Sequence, residues 1–162
     1  MTEILARVGA GAVVIRDEKI LLVRLTYGWA KGRWLLPNGG QRPGESLAAC
    51  AERELVEETA LQGRAGALVA VRSLASPLGS DTFVAFATAV DKGTPEPDGE
   101  ETDGADFFGL DEVEAMFQEK HVVRLHRLIA HHVLGGEPQP SVQTLPALDR
   151  DGNKATATVY LV

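Results

Sequence analysis

Cysteine is nearly absent. A single Cys50 leaves no partner for an intrachain disulfide and no set of thiolates for a zinc site. The simplest expectation is a cytoplasmic chain. Basic charge is also short: 16 Lys and Arg stand against 23 Asp and Glu, for a formal net charge of −7. That argues against nucleic acid as a partner, because sequence-independent binding needs a basic face. An acidic protein still meets phosphate well when a divalent cation stands between the like charges. Long apolar runs are missing, and none approaches the ~20 residues a membrane span requires, so no membrane partner is expected. Met1 to Arg7 carries Glu3 and lacks the charged-then-apolar layout of a signal peptide.

What is present is ordinary for a folded domain. The 162 residues suit one domain with a real core, at 44% hydrophobic and 24% charged. Val8 to Ile15 and Ile20 to Leu25 read as two antiparallel strands joined by the polar turn Arg16 to Lys19. Trp34-Leu35-Leu36 reads as a very short strand stopped by Pro37, and Asn38 to Gly44 as loop by composition. Ser46 can cap the helix that follows, with Glu45 beside its positive end. Leu47 to Thr59 contains no Gly or Pro and is the strongest helix. Ala67 to Leu74 and Thr82 to Val90 read as strands separated by Ser76 to Asp81. Asp91 to Gly104 reads as an exposed acidic loop, Phe107-Phe108 as a short strand, and Asp111 to about Leu134 as helical with a break near Lys120. Val122, Leu125, Ile129 and Val133 supply the buried stripe of that region. In the tail, Asp151-Gly152-Asn153 signals a turn and Thr156 to Val162 a strand. The mixed order predicts an α+β or α/β layered fold around a mixed sheet.

The long helix has an unusual stripe. On a helical wheel Leu47, Ala51 and Leu55 share one side, as core residues should, yet Glu54 and Glu58 fall on that same side with Glu57 at its flank. Clustered, half-buried carboxylates repel each other and lose hydration, so they invite neutralisation. A hard dication such as Mg²⁺ suits oxygen ligands and shares its shell with water and substrate phosphates. Gly39, Gly40 and Gly44 precede the helix and permit close backbone approach.

These residues spell a known pattern. Gly39, five residues, Glu45, seven residues, then Arg53-Glu54-Leu55-Val56-Glu57-Glu58-Thr59-Ala60-Leu61 resembles the box of the Nudix hydrolases. Each fixed position agrees except the last, where Ala60 replaces Gly. That departure implies about 1 kcal/mol of strain at the helix end, or a cap shifted to Gly63. Asn38 stands where Gly is usual, and Asn also tolerates positive φ. The likeness extends more loosely to about residue 134, which implies a Nudix domain over 1–134 with its mixed sheet in an α/β/α sandwich between the box helix and a C-terminal helix. The tail 135–162, with its strand, is then part of the same domain or a dimer contact.

The resemblance implies an enzyme that cleaves phosphoric anhydrides of small nucleotide substrates. It implies Mg²⁺, with Mn²⁺ as a substitute, held by Glu54, Glu57 and Glu58, with Arg53 and Glu45 as the supporting pair. Glu57 or Glu54 is the expected base. Nudix hydrolases also recruit a Glu from a later loop, and Glu101 ranks first among Glu96, Asp98, Glu100, Glu101 and Asp103. Pro77, 16 positions after Leu61, is similar to a marker of members that cleave ADP-ribose. The expected activity is therefore on ADP-ribose or a nucleotide sugar, with nucleoside triphosphate hydrolysis and non-catalytic nucleotide sensing as alternatives. Gly39, Gly40, Arg33, Arg72, Tyr27 and Trp29 are the candidate substrate contacts, and Phe83, Arg24 and Lys31 further ones. The four histidines of the late helical region read as surface or packing residues, and the tail suggests a homodimer.

Overall fold

The computed structural model describes residues 5–77, 79–136, 139–148 and 153–162. Leu78, Pro138, and Asp151 and Gly152 of the expected tail turn lie outside them.

Among the described residues the fold has two sheets and three helices. The larger sheet has the order β5-β1-β7-β6-β10-β9. Its strands are β1 (Leu5–Val13), β5 (Asn38–Gly40), β6 (Arg64–Ser76), β7 (Gly79–Ala89), β9 (Ser141–Leu148) and β10 (Lys154–Leu161). It is mixed, because β1 runs parallel to β7 and antiparallel to β5. In the smaller sheet β3 (Lys19–Leu25) pairs with β2 (Ile15–Arg16), β4 (Trp34–Leu35) and β8 (Thr102–Phe108). The helices are α1 (Leu47–Thr59), α2 (Leu110–Gln118) and α3 (Arg124–Leu134).

Helix α1 begins and ends where its sequence indicates. Ser46 is the N-cap, its hydroxyl accepting from the Ala49 N–H at 3.1 Å. Ala60 is the C-cap in the left-handed conformation, φ 59°, so the helix does not run on to Gly63. Leu47, Cys50 and Ala51 pack on Ala10 and Phe86 of the larger sheet, while Leu55 and Leu61 join Ala12, Val14 and Leu21. On the sheet's other face Phe83, Ala85 and Val159 pack with Val122, Ile129 and Ala130, the last two from α3. Helices thus cover both faces, as expected of the α+β sandwich.

The structure corrects the sequence reading in five places. The expected opening hairpin exists only as β2 and β3, because the chain leaves the larger sheet at Val14. Asn38–Gly40 is a strand rather than loop, its backbone satisfied by Gly9–Gly11 of β1. Ser80 and Asp81 belong to β7, leaving a tight turn at Pro77. The acidic loop ends earlier than Gly104, since β8 starts at Thr102, which is fully buried. The tail holds a strand that the reading lacked, β9, which makes a hairpin with the expected strand β10; β10 also pairs with β6, so the tail joins the same sheet, one of the two placements expected for it. Strand β9 hides in a proline-rich composition. Pro146 lacks an N–H, and an edge strand tolerates that.

Candidate active site

Two turns of α1 deliver Arg53, Glu54, Glu57 and Glu58, and residues three and four apart share a face. Glu54 and Glu58 are buried, at 8% and 2% exposure. Glu57 stays open, its side chain 44% exposed.

Arg53 is the hub. Its Nε and Nη2 donate to the two oxygens of Glu45 at 2.9 and 3.0 Å, a two-pronged pair. Its Nη1 donates to Glu54 Oε1 at 2.6 Å and to Glu57 Oε2 at 2.9 Å, and Nη2 also donates to the Gly40 carbonyl at 3.0 Å. Arg53 thereby fixes the glycine-rich segment to the helix. These bonds, with the Arg42 N–H next, hold the Glu45 carboxyl down at about 2. Glu45 in turn keeps the Arg53 guanidinium protonated well beyond the usual range.

The buried acids titrate the other way. Burial pushes Glu58 up to about 9, against the Asn38 N–H that donates to it at 2.9 Å. The charges of Glu54, Glu101 and Asp98 add to the rise. Burial also raises Glu54, with Arg53 opposing and Glu57 and Glu101 adding. Burial and mutual repulsion therefore favour a proton or a cation on these oxygens. Asn38 performs this service from an extended strand, so its tolerance of positive φ is not used.

Glu101 reaches the cluster because the acidic loop docks on the C-terminal end of α1. The Glu96 N–H donates to the Thr59 carbonyl at 2.8 Å, and the Thr102 hydroxyl to the Glu58 carbonyl at 3.2 Å. Asp98 Oδ1 accepts the N–H groups of Glu100, Glu101 and Thr102 at 3.0, 3.0 and 2.8 Å. Burial opposes them, yet these donors hold Asp98 below the ordinary carboxyl range. The Tyr27 hydroxyl donates to Glu101 Oε2 at 3.1 Å. Burial first, then this bond, pushes Tyr27 up to about 12.

The donor set fits a divalent cation. It is all oxygen, two of its carboxylates are buried with raised proton affinity, and it sits at the negative end of a helix dipole, which further favours positive charge there. Gly39 lies so close that a Cβ on it would collide with the Glu54 carboxylate. Among the described residues no three acids or histidines already converge as a ready metal cage. Instead Arg53 takes oxygens of Glu54 and Glu57, and Arg42 those of Glu57.

Of the other candidates, Tyr27 meets the cluster through Glu101 and the rest scatter. Tyr27 and Trp29 are 53% and 63% exposed in the loop between β3 and β4. The Arg33 side chain is exposed, while its carbonyl accepts from the Leu25 N–H at 3.2 Å. Arg72 is apart from the acids. It pairs with Asp81 and is in register with Phe83 on the sheet face that meets α3, opposite α1. Phe83 is 6% exposed and meets the His126 ring edge-on, so it is a core residue. Arg24 pairs with Asp103 at 2.7 Å and lies over Trp34. His126 is buried, its Nδ1 accepting from the Leu36 N–H at 3.2 Å. Two participants escaped the sequence reading as such. Arg42 occupies a variable position inside the box, where the pattern is silent. Asp98, named only as one of several loop acids, acts through backbone donors that no spacing reveals.

Residues 5–131 match the family model of the NUDIX domain. A NUDIX hydrolase structure from Nitrosomonas europaea is 25% identical, with a TM-score of 0.68, covering 84% of this chain and 93% of that one. A MutT NUDIX hydrolase structure from Burkholderia pseudomallei is 22% identical with a TM-score of 0.68, over 80% of this chain and 98% of that one. An ADP-ribose pyrophosphatase structure from Streptococcus suis is 20% identical with a TM-score of 0.55, over 81% and 93% respectively. No helix among the described residues is long and apolar enough to cross a membrane. With its box assembled at one end of α1 and the family model matched along most of its length, the chain belongs to the NUDIX domain family and is a Nudix hydrolase.

Proposed function

We propose that the protein hydrolyses the pyrophosphate bond of a nucleoside diphosphate linked to a second moiety, ADP-ribose or a nucleotide sugar in preference to a nucleoside triphosphate, with Mg²⁺ as cofactor and Mn²⁺ as a substitute. The observation that carries the reading is the pair of buried carboxylates, Glu54 packed against Gly39 and Glu58 held by the Asn38 N–H, both within reach of the charge of Glu101.

Glu54, Glu57, Glu58 and Glu101 would hold the cation. When bound, it supplies Lewis acidity toward phosphoryl oxygens and lowers the pKa of water. Arg53 keeps the helix carboxylates oriented and, through Glu45 and the Gly40 carbonyl, keeps the glycine-rich segment against them. Of these, Glu57 is the open carboxylate, while burial raises the proton affinity of Glu54, as it does that of Glu58. Glu57 or Glu54 is suited to take the proton of an attacking water, and raised basicity assists such a base. Tyr27 holds Glu101 by its hydroxyl. The Trp29 ring is free to stack on a base. The preference for a linked nucleoside diphosphate rests on Pro77, which stands in the β6–β7 turn. A cytoplasmic location and a homodimer through the tail hairpin belong to the same proposal.

The test is a panel of nucleoside diphosphate derivatives and triphosphates with Mg²⁺. Turnover is expected on a linked diphosphate, releasing two phosphate monoesters rather than inorganic pyrophosphate. Glu57→Gln is expected to lower kcat by about 10² or more, because charge stabilisation and proton transfer both suffer. Turnover of triphosphates alone, or full activity in Glu57→Gln, would overturn the corresponding part of the reading.

A further inference from the structure

Among the described residues, Arg42 is the cation beside the acidic cluster whose pairing is built to be exchanged. Its Nη2 straddles the Glu57 carboxylate, 3.1 Å from Oε1 and 3.2 Å from Oε2. Both partners face water, the arginine side chain 61% exposed and the glutamate 44%. Arg53 differs sharply, being 17% exposed and tied to three carboxylates and a carbonyl. A solvent-facing ion pair is weak and is readily exchanged.

The base of the Arg42 side chain is nevertheless anchored. Its N–H donates to Glu45 Oε2 at 2.8 Å, and its carbonyl accepts from the Glu45 N–H at 3.2 Å. Pro43 follows it and stiffens the turn. Only the guanidinium is therefore free to swing, from a fixed point beside Glu57.

We infer that Arg42 competes with the divalent cation for Glu57 and, once that carboxylate is given to the cation, turns to the pyrophosphate of the substrate. The inference rests on the cation-binding role proposed above for Glu57. A dication on Glu57 removes the negative charge that holds Arg42 and repels the guanidinium itself. The incoming anhydride carries negative charge to the same place, and the planar guanidinium fork matches phosphate oxygens. Arg42 is thus a positioning residue for the metal-free cluster and a binding residue for the substrate anion. Its two roles pull affinities in opposite directions, which a purely structural role would not do.

Calorimetry on the whole protein separates them. Mg²⁺ alone is titrated into wild type, Arg42→Gln and Arg42→Lys, and then imidodiphosphate, a pyrophosphate analogue that resists hydrolysis, is titrated at saturating Mg²⁺. Arg42→Gln is expected to bind Mg²⁺ about two- to fivefold more tightly, the range of an exposed ion pair. It is expected to bind imidodiphosphate about tenfold more weakly, the size of a lost charge-assisted hydrogen bond. Arg42→Lys, which keeps the charge, is expected within about twofold of wild type for Mg²⁺. Equal or weaker Mg²⁺ binding in Arg42→Gln, or undiminished analogue binding, would overturn the inference while leaving the metal role of Glu57 standing. No Mg²⁺ binding to wild type would overturn both.

Discussion

At the scale of single residues, charge state and burial decide roles that side-chain type alone leaves open. His126 illustrates this away from the acids. Burial, with the charge of Arg72 behind it, lowers its pKa from 6.5 to about 3, so it is neutral in the fold and free to accept the Leu36 N–H on Nδ1. As pH falls the unfolded chain takes up this proton first. The contribution is therefore complete above about 6.5 and is lost as pH drops toward 3. Denaturant unfolding measured through that window should show an acid arm that is shallower in His126→Gln than in wild type. An identical arm would mean that His126 is protonated alike in both states. The sequence could mark His126 as a packing or surface residue, but not choose between them, because its burial comes from contacts with Phe83 and Leu36, distant in the chain.

At the scale of elements, α1 was the most legible part, since its cap, its apolar stripe and its acidic end are all local patterns. The Ala60 cap shows where that locality has a cost. Ala60 adopts φ 59° although its Cβ disfavours it, and its N–H still closes the last turn on the Val56 carbonyl. Ala60→Gly should stabilise the protein by about 1 kcal/mol, less whatever the more flexible glycine gains when unfolded. Thermal unfolding checks it through an expected rise in Tm of about 2–4 °C. An unchanged or lower Tm would mean that the chain relieves the strain by another route. Strands β5 and β9 were illegible for the opposite reason. Asn38-Gly39-Gly40 and the proline-bearing Ser141–Leu148 have poor strand composition, and become strands because β1 and β10 offer them backbone partners. The docking of the acidic loop on the end of α1 was equally hidden, as it depends on Thr102 reaching the Glu58 carbonyl.

At the scale of the molecule, the tail and the site stand at opposite ends of one mixed sheet, β9 at one edge and β5 at the other. Strand β9 carries no charged residue and exposes Val142, at 62%. An uncharged edge is a surface that other proteins usually protect, and this supports the proposed homodimer. Sedimentation should find a dimer for wild type and a monomer for Val142→Lys. A wild-type monomer would contradict that assembly without touching the chemistry at α1. In the proposed reading the chemistry depends on the carboxylates of Glu54, Glu57, Glu58 and Glu101 taking a cation, which an anionic substrate then meets. Mn²⁺ titration followed by electron paramagnetic resonance tests this most directly, comparing wild type with the doubly substituted Glu54→Gln, Glu58→Gln protein. Saturable loss of the free-ion signal in wild type, and its disappearance in the double variant, is the expected result. Equal Mn²⁺ binding by the two proteins would contradict the account.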